Sequence, residues 1–281
     1  MPELPEVEVV RRGLDSHVVG RTFGTVEVLH PRAVRSQQGD LRDFLGDATV
    51  SATGRRGKFL WLDLSTGKKL HVHLGMSGQM LVTGRGQVTS THLRIRAEMN
   101  DGADLNFLDQ RTFGQWTVVG AVPDPFDAAG ATVPVTVTHI AQDPLDPAWD
   151  RQGCIQRIKA KNSEIKRVLL DQTVVSGIGN IYADEALFAA GVRPRRRARG
   201  LSGPAIGRIL DAAADVMRRA LAEGGTSFDS LYVNVNGASG YFARSLAVYG
   251  REGKPCIVCE TPIKRIAFIG RSSHYCPQCQ R

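Results

Sequence analysis

The most reactive group this sequence offers lies at its beginning, where residues 1–6 read MPELPE. Removal of the initiating methionine would leave Pro2 as an N-terminal secondary amine. An α-amino group titrates at about pH 8, well below lysine, so much of it is neutral and nucleophilic at working pH. Glu3 and Glu6 supply nearby carboxyl groups. The alternative is a helix cap, in which Pro5 occupies the first turn and the acidic side chains face the positive end of the helix dipole.

A second chemically active set lies at the C-terminus, where two C-x-x-C pairs are separated by sixteen residues. The pairs are Cys256 with Cys259 and Cys276 with Cys279. Each pair can turn two thiolates toward one ion, so the spacing predicts one structural Zn²⁺ in a closed tetrahedral site. Two disulfides are the alternative, but a chain without an export signal is expected in a reducing compartment. Four thiolates leave no position for water, which argues against a zinc hydrolase.

The elements that hold these residues follow from periodicity. Helical spacing of the apolar residues Val7, Val10, Leu14 and Val18 predicts an N-terminal helix. Residues 25–120 read as eight short β runs divided by turns, and their frequent period-two alternation predicts an antiparallel sandwich or barrel. The first domain is therefore expected over residues 1–120.

The next segment, residues 121–150, holds five prolines and few periodic apolar positions, which predicts a linker. From residue 151 the apolar period becomes helical, and it stays so until the cysteine pairs. The predicted fold class is therefore α+β, with a helical domain over 151–245 and a zinc finger over 246–281.

Composition and charge narrow the function classes. The chain has 281 residues, 42% hydrophobic composition and no run of about 18 apolar residues, so a globular protein without a membrane span is expected. Residues 1–150 carry 15 Lys and Arg against 18 Asp and Glu, whereas residues 151–281 carry 21 against 10. A basic second half predicts a polyanionic partner; a generic basic surface is the alternative.

Residues 177–185 read GIGNIYADE, with two glycines before an asparagine and a predicted helix. Free backbone amides at such a helix start favour an anion. The glycine spacing does not match a dinucleotide fingerprint, so a nucleic-acid phosphate is the predicted ligand. An ordinary interhelical turn is the alternative.

Taken together, these motifs resemble the bacterial formamidopyrimidine-DNA glycosylase family, also called 8-oxoguanine DNA glycosylase, over nearly the whole chain. Leu4 favours the purine-directed branch, since the sister endonuclease VIII branch tends to carry glycine there. The resemblance implies a β-sandwich with a leading helix, a helix–two-turns–helix domain and a zinc finger. The matching blocks are residues 2–8 (PELPEVE), 55–60 (RRGKFL), 73–78 (HLGMSG), 109–114 (DQRTFG), 177–185, 240–242 (GYF) and 255–280.

The resemblance implies base excision followed by strand cleavage. Pro2 would attack C1′ of the damaged nucleotide and form a Schiff base with the opened sugar. Glu3 would be the general acid and base, with a raised pKa in a partly desolvated site. Glu6 would position the N-terminus. Lys58 matches the family lysine assigned to β-elimination, and Arg271 the finger arginine assigned to δ-elimination; without the family, each would be a solvated phosphate contact.

Such an enzyme must extrude the damaged base and fill the space it leaves. Met76, Arg111 and Phe113 match the residues that the family inserts into the duplex, where Arg111 would pair with the orphaned cytosine. Without these motifs, Met76 and Phe113 could equally be core residues.

Further residues are implied as DNA contacts. Asn180 and Tyr182 would bind the phosphates flanking the lesion, with Lys161 and Lys166 nearby, and Tyr241 would support the backbone around the site. Two positions depart from the family. Many members carry His-x-His where this chain reads Ser90-Thr91-His92, so only His92 is retained as a contact, and a basic residue is frequent where Asn162 stands. Residues 224–237 resemble the loop that closes over the damaged base.

The expected partner is duplex DNA containing oxidised bases or abasic sites, bound by a cytoplasmic bacterial monomer. Two rivals stay open from the sequence. One is an endonuclease VIII-like glycosylase for oxidised pyrimidines, which would share the nucleophile but prefer other bases. The other is a non-enzymatic zinc-containing DNA-binding protein in which Pro2 only caps a helix.

Overall fold

The computed structural model describes residues 2–127, 129–225 and 245–281. They divide into two compact units. The first contains residues 2–139 and 223–225, and the second contains residues 140–222 and 245–281. None of the helices within these ranges has the length and apolar character needed to cross a lipid bilayer.

The first unit begins with a helix and continues mainly as β-strands. Its elements are α1 (Leu4–Val18), β1 (Phe23–Val28), α2 (Leu41–Leu45), β2 (Val50–Arg56), β3 (Phe59–Leu64), β4 (Lys68–His73), β5 (Gly78–Gly84), β6 (Leu93–Met99), β7 (Ala103–Asp109), β8 (Gln115–Pro123) and β9 (Thr132–Pro134). One antiparallel sheet has the order β1-β6-β7-β5 and the other β2-β3-β4-β8-β9. The predicted sandwich is confirmed, and each of the eight predicted β runs coincides with a strand.

Alternating hydrophobicity explains why these strands form a two-layer core. In β6 every second side chain is buried, from Leu93 through Ile95 and Ala97 to Met99. The same hydrophobic cluster takes in Val10 of α1 and residues of both sheets. Removing this apolar surface from water fixes the helix against the sheets, so the start of α1 has a defined position within the unit.

Residues 121–150, which were predicted to be a linker, contain parts of both compact units. β8 runs on to Pro123, and β9 pairs with it in the five-stranded sheet. The two units divide between His139 and Ile140, so most of the 121–150 segment lies in the first unit and the rest in the second. A three-residue strand that ends in proline carries too little periodicity to be recognised from sequence.

The second unit contains four α-helices and a β-hairpin among its described residues. They are α3 (Arg151–Ala160), α4 (Ile165–Leu169), α5 (Asn180–Ala189), α6 (Gly203–Ala222), β10 (Lys264–Phe268) and β11 (Arg271–Tyr275). Residues 151–222 of the predicted helical domain and the predicted zinc finger, residues 246–281, both lie within this one compact unit.

Candidate active site and nucleic-acid interface

The start of α1 is organised by its two first glutamates. Glu3 is the N-cap residue, and its backbone N–H donates to Glu6 Oε2 at 2.9 Å. The Glu3 side chain accepts in return from the Glu6 backbone, which completes a capping box. Glu3 and Glu6 are 3% and 5% exposed. The cap is therefore made by the glutamates, and Pro2 lies directly before it.

The nitrogen of Pro2 is part of a peptide bond as long as Met1 is present. An amide nitrogen is not nucleophilic, so any chemistry by Pro2 requires removal of Met1. Pro2 itself is buried against the first unit. A buried start to a capped helix gives the nitrogen a fixed position, which a nucleophile needs.

Glu8 connects α1 to the hairpin that carries Lys58. Its carboxylate lies 3.0 Å from Arg11 Nη2 and 3.0 Å from Arg55 Nε. Arg55 Nη1 also donates to the carbonyl of Gly57 at 2.9 Å. Gly57 and Lys58 form the two-residue turn between β2 and β3, and the Lys58 side chain is half-buried. Helix start and lysine are thus held by one charged network within the same unit.

The neighbouring arginines lower the pKa of Glu8 by more than burial raises it. Burial alone would raise the pKa of Glu8, but a hydrogen bond from Arg11, the charges of Arg55 and Arg11 and a hydrogen bond from Arg12 lower it to about 2. The carboxylate is therefore ionised at neutral pH. The sequence pattern does not distinguish Glu8 and Arg55 from charged residues on a solvated surface, although both lie in the blocks that resemble the family.

Two loops carrying the predicted intercalating residues meet around the buried carboxylate of Asp109. Ser77 Oγ donates to Asp109 Oδ1 at 2.5 Å, and the N–H of Gly114 donates to Asp109 Oδ2 at 2.6 Å. The backbone N–H of Arg111 is 3.1 Å from Asp109 Oδ1. Gly75 has a φ of +61°, and an added Cβ there would lie 2.5 Å from Gly114 N. Only glycine permits this close approach of the loops.

The side chains on these loops face outward. Met76 is 38% exposed and Phe113 is 45% exposed, whereas a core residue would be close to zero. The Arg111 guanidinium lies 5.2 Å from the centre of the Phe113 ring, within cation–π range. Surface exposure of large apolar side chains on tightly fixed loops suits insertion into a partner. It excludes the alternative that Met76 and Phe113 are core residues.

His92 lies beside the same loops. Its carbonyl accepts from the N–H of Asp109 at 2.9 Å, and its side chain is half-exposed. The structure thus brings this predicted contact residue close to the Asp109 loop.

In the second unit, the predicted phosphate contacts divide into surface and buried residues. Lys161 is exposed, with its ammonium 3.7 Å from the Asp171 carboxylate. Asn180 is the first residue of α5, half-buried, and donates from Nδ2 to the carbonyl of Ser272 at 3.0 Å. Tyr182 is fully buried in the core of the unit.

Lys166 is also fully buried, and its Nζ lies 2.7 Å from Asp184 Oδ1. A charge enclosed in this way is not presented to an external phosphate. The predictions that Lys166 and Tyr182 bind DNA directly are therefore corrected: both side chains belong to the scaffold. The other predicted contact, Tyr241, and most of the 224–237 loop lie outside the described residues.

Arg271 lies at the tip of the C-terminal hairpin. It pairs with Phe268 across a two-residue turn, Ile269-Gly270, whose φ angles are +47° and +69°. Two positive φ angles define the turn type that matches the twist of a tight antiparallel hairpin. The Arg271 side chain is exposed.

The four C-terminal cysteines converge on one point. Their sulfur atoms all lie within 4.8 Å of one another, and the Sγ atoms of Cys256 and Cys279 are 3.9 Å apart. A tetrahedral zinc ion with Zn–S bonds of about 2.3 Å requires S–S distances of about 3.8 Å. The residues therefore fit a four-thiolate zinc site of the structural kind. The two disulfides considered as an alternative do not form, because all four cysteines are free.

Exposed arginines dominate one surface of the second unit. A cavity of about 420 Å³ is lined by Arg193, Arg195, Arg196 and Arg281. Arg193 and Arg195 donate to backbone carbonyls of the finger, and Arg195 Nε also lies 3.8 Å from Glu164 Oε1. Such a surface attracts polyanions by releasing their counterions.

Comparison with known proteins identifies the class. Residues 1–116 match the profile of the formamidopyrimidine-DNA glycosylase N-terminal domain, residues 140–231 that of the formamidopyrimidine-DNA glycosylase H2TH domain, and residues 253–281 that of the zinc finger found in FPG and IleRS. The chain therefore belongs to the formamidopyrimidine-DNA glycosylase family.

Individual relatives are similar over their whole length. A formamidopyrimidine-DNA glycosylase of Corynebacterium jeikeium is 63% identical over 100% of both chains. Another, of Mycolicibacterium gilvum, is 57% identical over 100% of this chain and 98% of the relative. The solved structures include Lactococcus lactis Fpg with DNA containing an abasic site, which is 28% identical with a TM-score of 0.85 over 99% of each chain. A complex of the same protein with Fapy-dG-containing DNA has a TM-score of 0.84 at 28% identity, over 99% of this chain and 100% of that one.

Proposed function

We propose that this protein is a bifunctional DNA glycosylase and abasic-site lyase that removes oxidised purines, 8-oxoguanine and formamidopyrimidines, from duplex DNA. The observation that carries the proposal is an N-terminal Pro2-Glu3 pair held by a capped, buried helix start in a chain of this family. The same fold with DNA containing an abasic site or Fapy-dG supports duplex DNA as the partner.

In the first step, the Pro2 nitrogen forms a bond to C1′, the bond from C1′ to the base breaks, and the proton that the nitrogen loses goes to the departing base. Glu3 protonates the ring oxygen of the sugar, and the sugar ring opens. The Pro2 nitrogen and C1′ are then joined as an iminium. The nitrogen of a proline iminium has no proton to lose, so it is cationic at any pH. This fixed charge acidifies the C2′ proton and prepares the sugar for elimination.

Two eliminations then cut the strand. Loss of the C2′ proton breaks the C3′–O3′ bond and expels the first phosphate, with Lys58 assisting. Loss of the C4′ proton then breaks the C5′–O5′ bond and expels the second phosphate, with Arg271 assisting. Water finally hydrolyses the iminium, which frees Pro2 and leaves a one-nucleotide gap.

The protein must extrude the damaged base from the duplex to reach it, and unstacking the base costs roughly a few kcal/mol. Met76 and Phe113 would enter the space between the bases, and Arg111 would pair with the orphaned cytosine. Asn180, Lys161 and His92 would contact backbone phosphates, which positions the duplex without reading its sequence.

Zinc has a structural part in this proposal. Cys256, Cys259, Cys276 and Cys279 would hold one ion, which stabilises the finger that carries Arg271. The proposal places the protein in the bacterial cytoplasm, where thiols stay reduced and the chromosome is accessible.

The test is strand cleavage on two labelled duplexes, one with 8-oxoguanine opposite cytosine and one with thymine glycol. We expect faster cleavage of the first by about tenfold or more, a difference of about 1.4 kcal/mol in transition-state stabilisation. Faster cleavage of thymine glycol would favour the endonuclease VIII-like alternative. Binding of both duplexes without any cleavage would leave a non-enzymatic DNA-binding protein.

A further inference from the structure

Lys166 and Asp184 form an ion pair that is enclosed completely by the second unit. Their Nζ–Oδ1 distance is 2.7 Å, and neither side chain has any solvent exposure. Burying an ion costs roughly several kcal/mol, and replacing a buried ion pair by apolar residues of similar volume often leaves the stability of a protein unchanged. Stability alone therefore does not explain the pair, and its further contacts show what else it does.

Both charged side chains form hydrogen bonds with residues 272–274 of β11. Lys166 Nζ donates to the carbonyl of Ser272 at 3.2 Å. Asp184 accepts from Ser273 Oγ at 2.7 Å and from the backbone N–H of His274 at 2.8 Å. Three consecutive residues of the strand are thus held by two side chains from α4 and α5.

These contacts reach the hairpin tip from both sides of its turn. Ser272 directly follows Arg271 in β11, and the Lys166 ammonium lies 5.3 Å from the ring centre of Phe268, which pairs with Arg271 across the turn. The amide of Asn180 donates to the same Ser272 carbonyl at 3.0 Å. The backbone that carries Arg271 is therefore bound by groups of the helical part of this unit.

We propose that the buried Lys166–Asp184 pair is a positioning device for Arg271, which sets how often the first elimination is followed by the second. The inference rests on the proposed function. A displacement of about 1 Å at a reacting group can cost about 100-fold in rate, so small movements of β11 are sufficient to change the outcome.

The measurement is the partition between β- and β,δ-elimination products on a duplex with one abasic site. We expect Lys166→Met to slow the second elimination about tenfold or more while the first elimination changes less than about twofold. Arg271→Ala should give the same loss. The double variant should lose no more than Arg271→Ala alone, because the lysine acts through the arginine.

Lys159→Met is the matched control, since Lys159 is an exposed lysine of α3 outside the proposed machinery. Its product partition should equal that of the wild type. A Lys166→Met protein with unchanged partition, or a double variant with fully additive losses, would overturn the proposal. So would a weaker salt dependence of duplex binding in Lys166→Met, the mark of a direct phosphate contact.

Lys166→Met could leave Asp184 buried without its partner and unfold the unit, which zinc content and circular dichroism would reveal. Ser273→Ala then decides, because it removes one hydrogen bond to Asp184 at little change in volume. We expect a partial shift toward the β-elimination product; an unchanged partition contradicts the proposal. Failure of the proposed function is distinguishable, since the wild type itself would then give neither product.

Discussion

Among single residues, the glutamates of the N-terminal motif are proposed to have different tasks although they lie one helical turn apart. Glu6 accepts from the Glu3 backbone and the Glu3 side chain accepts from the Glu6 backbone, so both carboxylates take part in the cap. Glu3 is the N-cap residue itself and lies next to Pro2, which places its carboxyl group closest in sequence to the proposed nucleophile. This division agrees with a positioning role for Glu6 and a proton-transfer role for Glu3.

Glu3→Gln tests that division. Glutamine retains an oxygen that can accept from the Glu6 backbone, so the fold should be kept, but it cannot transfer a proton. We expect single-turnover base excision to fall by about 100-fold or more, the usual contribution of general acid–base catalysis. Duplex affinity should stay within about twofold. Excision at the wild-type rate would remove Glu3 from the mechanism.

At the scale of elements, the contact between α1 and the β2–β3 hairpin depends on a single carboxylate. Glu8 receives Arg11 and Arg12 from its own helix and Arg55 from the hairpin. Since Glu8 is only 9% exposed, these interactions are weakly screened. The network therefore stabilises the relation between the helix start and Lys58.

The lowered pKa of Glu8 makes the free energy of unfolding depend on pH in one direction. A carboxyl group whose pKa falls on folding contributes stability above its unfolded pKa and loses it as the pH falls through the folded value. With values of about 4.5 and about 2, the contribution is fully present at pH 7 and declines as the pH falls between those two values.

Glu8→Gln should therefore lower the free energy of unfolding of the first unit at pH 7, and the difference from wild type should shrink as the pH falls from about 4.5 toward about 2. Denaturant unfolding followed by tryptophan fluorescence at several pH values measures this. Comparing the two proteins cancels losses common to both, such as zinc release. A difference that is constant with pH would contradict the argument.

The zinc finger is a second element with a testable dependence. Its four cysteines come from two segments that few apolar contacts join, since only four buried residues form its hydrophobic cluster. Removing zinc with a chelator should unfold residues 253–281 and weaken duplex binding, while the strands of the first unit keep their circular dichroism signal. Retained duplex affinity without zinc would show that the finger is not required for binding.

Local pattern was enough to predict much of this architecture. Alternation marked the strands, helical spacing marked α1, and cysteine spacing marked the metal site. The buried state of Lys166 could not be predicted, because its partner Asp184 is on another helix and its carbonyl acceptor Ser272 is 106 residues away. β9 was missed for a related reason, since only its pairing with β8 makes it a strand.

Over the whole molecule, charge is distributed unevenly along the chain, and its basic half lies largely in the second unit. Arg195 and Arg196 are exposed on the arginine-lined cavity of that unit. If they neutralise two phosphates, their replacement should reduce the salt dependence of duplex binding in proportion to the charge removed.

We expect Arg195→Ser/Arg196→Ser to reduce the slope of log K against log salt by about 1.8, at about 0.9 per phosphate. Fluorescence anisotropy with an undamaged duplex at several salt concentrations measures the slope. Arg218→Ser is the control, because Arg218 is an exposed arginine of α6 that does not belong to the set lining this cavity. Equal slopes for the double variant and the wild type would place this surface away from DNA.

The central claim concerns the freed nitrogen of Pro2, and reductive trapping tests it most directly. Borohydride reduces an iminium to a stable amine, so protein without Met1 should become irreversibly joined to an 8-oxoguanine duplex, with the modified peptide starting at Pro2 in mass analysis. A protein with an N-terminal extension before Pro2 should bind the duplex without joining to it. Equal trapping of the extended protein, or an adduct on a lysine instead of Pro2, would contradict the account.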